Sequence, residues 1–494
     1  MTDIRVVAFD NIYVRVECEA GIAQELSQFF TFEVPGARFT PAYRSKKWDG
    51  KIRIFNYVKR MIYRGLVDHI RIFADREGYT FENTIVADGV STTKDTVQQF
   101  IDTLEYHVQS KPIKLRDYQV DAIYQCITND RKLILSPTSS GKSSIIGGLI
   151  RWYVNQGLRC LVLVPTTSLV SQMYGDFEDY FGNTWNVDEN CYKIMGGIEK
   201  NNSRPCVIST WQSMHSVSKN NKEYLSQFDV VICDEAHLAK AKAITGIMEL
   251  CINAKYRFGF TGTLDGTQTN KLVLTGLFGS VYQTITTKEL IDNKQISDLK
   301  IKCISLQYTE DERKQVKEMD YQNEIDFIVS HEKRNRFIAN LALKQPGNTL
   351  VLFNLVERHG KPLYERILNK AEGRRVFFVF GGVDAEEREE IRSITETESN
   401  AIIVASYGVF STGISIRNIH NVVFASPSKS RIRNLQSIGR GLRQHESKDH
   451  CTLFDIIDDL GYKKYRNYTL KHAVERIKIY SEEDFDYKII KIAM

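Results

Sequence analysis

From about residue 113 onward, short runs of β-branched and other apolar residues alternate with longer segments whose apolar positions recur every three or four residues. The first pattern is that of strands buried on both faces and the second that of amphipathic helices. Their alternation predicts βαβ units stacked into parallel sheets with helices on either side. Strands are expected at 131–136, 159–164, 205–209, 229–233 and 256–260. A polar passage with Gly and Asn, about 262–298, interrupts the rhythm. It resumes with strands at 301–307, 348–353, 375–380, 400–405, 421–425 and 450–455, and with helices such as 356–370 and 384–397 between them. Two α/β lobes are therefore predicted, 113–290 and 291–494, the second closing with a helical tail. Residues 1–112 fit neither lobe. Alternating strand text at Asn11–Val16, an apolar helix-like piece near 21–30, and strand text again near 51–56 and 69–73 predict a separate small α+β domain.

Composition narrows this picture. A length of 494 residues suggests three domains of roughly 150 residues each, and 42% hydrophobic with 26% charged residues is ordinary globular usage. The nine cysteines are odd in number and form no Cys-x-x-Cys pair, which argues against a zinc ribbon and a disulfide framework and fits a reducing cytoplasm best. No stretch approaches the roughly 18 consecutive apolar residues of a membrane span, and Asp3 stands where a secretory signal would carry positive charge, so a soluble, unprocessed chain is expected. A net charge of +5 does not establish a nucleic-acid partner; the placement of the charge matters more than its sum.

Three phrases carry candidate chemistry. Ser136–Ser143 reads Ser-Pro-Thr-Ser-Ser-Gly-Lys-Ser and lies between a predicted strand and an apolar-periodic helix opening at Lys142, the context in which backbone N–H groups and a helix N-terminus cradle phosphate oxygens. Lys142 would sit on the β and γ phosphates and the Ser143 hydroxyl would join a magnesium shell. The phosphate-loop pattern opens on glycine, whereas here serines occupy 136 and 139 and only Gly141 remains, so the loop must turn with less φ > 0 freedom. Asp234-Glu235-Ala236-His237 follows the apolar run Val230–Cys233, at the strand end where α/β sheets bind ligands. Asp234 would hold magnesium and Glu235 would orient and deprotonate the attacking water; His237 is better suited to relaying the nucleotide state than to metal ligation. Gln436–Arg443 contributes Arg440 and Arg443, three apart and on one face if 430–442 is helical. Their guanidinium groups would reach the triphosphate from the second lobe and stabilise the transition state, so that hydrolysis becomes motion.

Read in order, these phrases resemble the motifs of superfamily 2 helicases over about 113–460. The resemblance implies two tandem RecA-like lobes that use ATP and Mg2+. Leu115–Gln119 resembles the adenine-recognising motif, which implies that Arg116 and Gln119 contact nucleotide, along with Ser139, Ser140, Gly141, Ser144 and Gln436. Pro165–Gln172, Gly196-Gly197 and Ser209–Ser213 resemble the strand-contacting motifs of the first lobe, so Thr166, Thr210 and Gln212 are implied to touch the sugar-phosphate backbone, joined by Thr412 from the second. Phe260–Thr263 resembles the coupling motif, and His237, Thr261, Gly262, Thr263 and Gly413 are implied to couple the nucleotide site to strand movement. Val351–Phe353 with His359-Gly360, and Thr412–Ile416, resemble the next two motifs; Ser415 departs from the aspartate common there, so no ribose contact is carried over. Over its whole length the chain resembles the phage recombination and repair helicases of this superfamily. That implies an ATP-dependent DNA helicase or translocase acting on branched DNA, by fork regression, branch migration and unwinding of RNA–DNA hybrids, as a monomer inside an infected bacterial cell.

Between Arg38 and Arg64 lie nine basic residues against the single acid Asp49, interleaved with Tyr43, Trp48, Phe55, Tyr57 and Tyr63. Such a patch can neutralise phosphates while its aromatics stack on opened bases. Arg44, Lys46, Lys47 and Lys51 are expected to grip DNA, with Trp48 as a wedge or stacking platform; the alternative is a solvated face whose aromatics fill a small core. Arg431 and Arg433 could serve DNA, ATP or neither. The basic tail, with Lys463, Lys464, Arg466, Lys471, Arg476 and Lys478, reads as an amphipathic helix packed on the second lobe or docking a partner. Two rival readings remain: a DNA-binding, strand-annealing protein with a vestigial ATP site, and the motor subunit of a restriction or packaging assembly.

Overall fold

The computed structural model describes residues 2–494 apart from 35, 87–88, 196–201, 222, 241, 265–267, 413–415, 429 and 447. The chain divides into two compact units, Met1–Ser136 with Gly141–Thr284, and Pro137–Ser140 with Ile285–Met494.

The first unit is built on a seven-stranded sheet in the order Cys191–Ile194, Cys206–Thr210, Cys160–Val164, Val230–Cys233, Tyr256–Thr261, Arg131–Leu135, Val281–Gln283. Every pairing is parallel. The central strands are buried at every position from Cys160 to Val164, Val230 to Cys233 and Tyr256 to Thr261, which is why they read as unbroken apolar runs: helices cover both faces. The polar passage 262–298 holds a helix, Gln268–Phe278, the edge strand Val281–Gln283 and a further helix, Thr287–Asp292, that starts at a Thr286/Glu289 capping box.

The N-terminal residues form their own four-stranded sheet, ordered Met61–Tyr63, Tyr13–Cys18, Ile4–Ala8, Phe81–Asn83. It packs helices Ala20–Phe29 and Val67–Glu77 over a core that includes Val6, Val14, Leu26, Phe30, Ile70 and Phe73. The expected strand at 69–73 is a correction, since these residues lie inside the helix Val67–Glu77. Leu66, Ile70, Phe73 and Ala74 are buried together at helical spacing, and Gly78 ends the helix in the left-handed region at φ 79°. This small domain is seated on the seven-stranded sheet's flank. Leu272, from the helix Gln268–Phe278, joins its core, and a Cβ on Gly65 would fall 2.1 Å from the Thr275 carbonyl oxygen, so only glycine permits that backbone approach.

The second unit repeats the architecture: Val376–Val379, Ile402–Ser406, Thr349–Phe353, Asn421–Phe424, His450–Asp459, Asp298–Gln307, Tyr487–Ala493, again parallel throughout. The tail is more than a helix. Helix Tyr468–Glu482 packs on the strand His450–Asp459, and Tyr487–Ala493 then adds a seventh strand beside Asp298–Gln307. The tail's Arg476 is buried rather than presented to a partner, with both Asp455 carboxylate oxygens within 3.0 Å of its Nε. Among the described residues no helix is long and apolar enough to cross a membrane, and all nine cysteines are free.

Candidate nucleotide site and nucleic-acid surface

The phosphate loop leaves the strand Arg131–Leu135 and enters helix Lys142–Val154, whose N-cap is Gly141 at φ 82°. Ser136 donates its N–H to the Thr261 carbonyl at 2.9 Å, fixing the loop's start to the neighbouring strand. Ser139 takes φ 71°, so a serine occupies the left-handed region that the loop requires and that glycine would reach without strain. Ser140 is buried and its hydroxyl donates to the Pro137 carbonyl at 2.6 Å. Lys142 folds back, Nζ donating to the Ser136 carbonyl at 3.3 Å, and the Ser143 hydroxyl meets that of Tyr180 at 2.8 Å.

Gln119 is stitched to the same loop. Its Oε1 accepts from the Arg116 N–H at 2.8 Å, its Nε2 donates to Ser144 Oγ at 3.3 Å, and Ser144 Oγ donates to the Gly141 carbonyl at 2.8 Å. A Cβ at Gly141 would lie 2.2 Å from Gln119 Nε2, so the glycine is needed for this approach as well as for its φ. Arg116 Nη1 donates to Tyr118 OH at 2.9 Å.

The strand Val230–Cys233 delivers the carboxylates. Asp234 donates its N–H to the Leu163 carbonyl at 2.9 Å, and its Oδ1 accepts from the Glu235 N–H at 2.9 Å. Burial first, then the neighbouring Glu235 charge, push the Asp234 carboxyl up to about 6, against the pull of Lys142, the Glu235 N–H and His237. Glu235 stands at φ 51°, a strained setting for a non-glycine residue. His237 Nδ1 lies 3.2 Å from the Glu235 carboxylate and 3.1 Å from Thr261 Oγ1, and that hydroxyl donates to the Thr263 carbonyl at 2.9 Å. Lys142, Asp234, Glu235, His237, Thr261 and Thr263 are thereby brought to one sheet end, with Gly262 between the two threonines; Gly413 lies outside the described residues, as do Gly196, Gly197 and Ser415.

One carboxylate at Asp234 and one hydroxyl at Ser143 are too few for a protein-built cation cage, and among the described residues no group of three or more acidic, His or Cys side chains is arranged to hold a metal ion. That donor set fits magnesium, which keeps waters and takes its remaining oxygens from phosphates.

A folded-state value near 6 against an ordinary 3.8 means that the folded protein holds this proton more tightly than the unfolded chain does. The charged carboxylate therefore lowers stability progressively as pH rises between those two values, and fully above them. Asp234→Asn is expected to stabilise the nucleotide-free protein at pH 8 by on the order of 2–3 kcal/mol while abolishing ATP hydrolysis. Unfolding curves of both proteins in chelator, at pH 8 and pH 5, check this. No gain at pH 8, or an equal gain at pH 5, contradicts the burial account.

In the second unit, Gln436 is buried in helix Arg431–Gly441 and Arg440 stands in its last turn. Arg443 lies beyond the helix end, so the two arginines do not share a helical face as expected. The helix stops because Lys448 Nζ caps the Gly441 carbonyl at 2.8 Å and the Ser297 N–H takes the Leu442 carbonyl at 2.8 Å. Burial lowers that lysine to about 8. Arg431 pairs with Glu482 and Glu483 of the tail, and Arg433 Nη1 donates to Asn354 Oδ1 at 3.4 Å.

Of the expected nucleic-acid residues, Arg44, Lys46, Lys47 and Lys51 are exposed. They surround a short helix, Pro41–Arg44, capped by Thr40, and a two-stranded ribbon of Thr31–Glu33 and Lys51–Arg53. Trp48 is half-buried, its Nε1 donating to the Lys51 carbonyl at 2.9 Å, which fixes the indole to the ribbon. The nine-residue basic run is not one surface. Arg64 turns inward, 3.4 Å from Asp130 and donating to the Val86 carbonyl, and Arg60 donates to the Cys18 and Glu19 carbonyls. Thr166 and Thr210 cap the helices Thr167–Phe181 and Trp211–Asn220 with their hydroxyls. They rise from adjacent strands in which Val164 pairs with Thr210, and Gln212 is exposed on the first turn after the second cap. Thr412 ends helix Tyr407–Thr412. Sequence reasoning missed Tyr180, Lys448 and the tyrosine–glutamate contact between the N-terminal domain and the first sheet, taken up below.

Residues 3–83 match the family described as DNA helicase UvsW, N-terminal; residues 112–266 match Type III restriction enzyme, res subunit; and residues 332–445 match Helicase conserved C-terminal domain. The ATP-dependent DNA helicase uvsW of Enterobacteria phage T4 is 38% identical over 506 residues, covering 98% of each chain. The crystal structure of T4 UvsW covers 100% of both chains at 37% identity and a TM-score of 0.53. A DNA-bound Type ISP restriction-modification enzyme, LlaBIII, shares the fold alone, at 16% identity and a TM-score of 0.58 over 86% of this chain and 36% of its own.

Proposed function

The chain belongs to the UvsW family of ATP-dependent DNA helicases, and from that membership we propose that it is a DNA motor that remodels branched DNA. The observation that carries the reading is the cluster at the end of the first sheet, where the Lys142 charge acts on Asp234, the Glu235 N–H is held by Asp234, and His237 stands between Glu235 and Thr261. Lys142 and the N–H groups of the loop bind the phosphates. Ser143 and Asp234 would hold Mg2+, which would supply positive charge for the phosphate oxygens. Glu235 takes the proton of the attacking water, Gln119 with Arg116 contacts the base, and Arg440 and Arg443 stabilise the charge of the transition state, Gln436 joining them at the nucleotide. His237 passes the state of Glu235 to Thr261 and Thr263, the route by which hydrolysis is coupled to strand movement.

Thr166, Thr210 and Gln212 hold the sugar-phosphate backbone at helix N-termini, which favour phosphate, and Thr412 contacts it from the end of its own helix, so that sequence goes unread. The N-terminal domain grips the branch through Arg44, Lys46, Lys47 and Lys51. Fork regression, branch migration and release of RNA from hybrids are the activities this arrangement serves, by a monomer in the infected bacterial cytoplasm.

The test is the ATPase rate on single strands, duplex, forked DNA and RNA at fixed salt, for the intact protein and for Arg44→Ala/Lys46→Ala/Lys47→Ala. Forks should stimulate most. The triple variant should lose that preference, and its salt slope for fork binding should flatten by up to about 2.7, from 0.9 per phosphate contact removed. Equal stimulation by all four nucleic acids, or an unchanged slope, overturns the role given to the N-terminal domain.

A further inference from the structure

A cavity of about 860 Å³ opens where the N-terminal domain meets helix Lys242–Leu250 of the first sheet. Its lining includes Tyr13, Phe55, Tyr57, Val58 and Tyr63 from the N-terminal domain and Glu249 from the helix. Val58 is 87% exposed and Tyr57 42%, at the tip of a tight turn closed by the Asn56–Met61 bridge and by the Lys59 N–H donated to Asn56 Oδ1 at 3.0 Å. Apolar side chains pushed into solvent on a short, stiff turn, with Arg53 and Lys59 lining the same cavity, are not explained by core packing.

The floor is polar and specific. Tyr13 and Tyr63 stack with ring centroids 5.0 Å apart, and both hydroxyls donate to Glu249 Oε1, at 2.6 and 2.7 Å. Burial and the Glu249 carboxylate raise both phenols, so they remain donors. With Oε1 taking two donors, Oε2 has no hydrogen-bond partner among the described residues. That oxygen is available to an N–H donor that enters the cavity.

Resting on the reading of the N-terminal domain as the branch-gripping element, we infer that this cavity receives an unpaired nucleobase from the branch point. The base stacks on Tyr57 and Val58 and donates an exocyclic amine to Glu249. The rim cations Arg53 and Lys59 suit the adjoining phosphates, and the size falls within the roughly 300–1,000 Å³ of small-ligand sites. Adenine, cytosine and guanine carry the amine. Thymine and uracil present only a ring N–H flanked by two carbonyls, which the carboxylate repels. Helix Lys242–Leu250 begins a few residues after the carboxylate motif, so occupancy of the cavity bears on the element that follows the ATP site.

The test uses the full-length protein and forked DNA carrying 2-aminopurine, an amine-bearing fluorescent base, at the first unpaired position. Binding should change its fluorescence, and Tyr57→Ala should abolish that change and weaken fork binding about tenfold. Unlabelled forks with A, C or G at that position should bind about tenfold more tightly than forks with T, and Glu249→Gln should erase this preference. Both variants should keep their ATPase on plain single strands, which shows that the fold survives. If Tyr57→Ala retains the fluorescence change, or base identity has no effect, the cavity proposal fails. In that event a loss of fork binding in the Arg44/Lys46/Lys47 triple variant leaves the N-terminal reading standing, whereas intact fork binding there removes both.

Discussion

Glu235→Gln lowers DNA-stimulated ATP hydrolysis by about a thousandfold, the mid-range of what a positioned general base contributes, while fold, ATP binding and DNA binding persist. The substitution is isosteric, and an amide can still face His237, whose Nδ1 stands 3.2 Å from the native carboxylate. What the amide cannot do is take the proton of the attacking water. The carboxylate is set in place by its backbone, held at φ 51° at the end of a fully buried strand and anchored through the Glu235 N–H to Asp234 Oδ1. A residue kept in so unfavourable a region is over-determined by its surroundings, as is usual where position matters to chemistry. Steady-state kcat beside equilibrium binding of a non-hydrolysable ATP analogue separates the two roles. A variant that hydrolyses ATP within about threefold of the parent would show that another group takes the proton, because loss of a general base costs at least about a hundredfold.

The same local geometry speaks to the reading of the ATP site as vestigial. That reading rests on the missing glycine at Ser139 and on the basic N-terminal patch. Ser139 nevertheless adopts φ 71°, and the loop closes through Ser140 and Lys142 on its own carbonyls. The missing glycine costs local strain of about 1–2 kcal/mol. It does not prevent the loop from forming.

How far the sequence revealed this molecule depends on the distance over which each feature is decided. Parallel strands such as Val230–Cys233 are buried on both faces, so their apolar runs are visible without knowledge of any partner. The Gly-Lys-Ser turn is equally local. The strand expected at 69–73 misled because Ile70, Ile72 and Phe73 are strand-formers by type, whereas burial of Leu66, Ile70, Phe73 and Ala74 on one face selects the helix. Glu249 gave no signal because its partners Tyr13 and Tyr63 lie 236 and 186 positions away. Arg476 was read among the tail's basic residues, since nothing near it in the chain announces Asp455, 21 positions earlier.

That buried pair carries the second large effect. Asp455→Ala destabilises the second unit by about 3–5 kcal/mol, the cost of leaving a buried charge without its partner. Arg476 is 2% exposed. Its Nη1 also donates to the Ser428 carbonyl at 2.9 Å, and Tyr480 OH donates to Asp455 Oδ2 at 2.9 Å. Burial alone would lower the guanidinium's affinity for its proton, but the Asp455 charge more than offsets this and raises it, so in the variant a full positive charge remains inside. Asp455→Leu with Arg476→Met should recover much of the loss, since well-packed apolar replacements of buried ion pairs are often neutral. The consequence reaches the arginine helix. Ser428 lies just before Arg431–Gly441, and Arg431 is tied to Glu482 and Glu483 of the tail helix that Asp455 anchors. Hydrogen exchange in Arg431–Gly441 and Tyr468–Glu482 should therefore quicken together in Asp455→Ala, with ATPase activity falling alongside. If exchange quickens in the tail alone while activity is unchanged, the tail packs on this unit without helping to position Arg440.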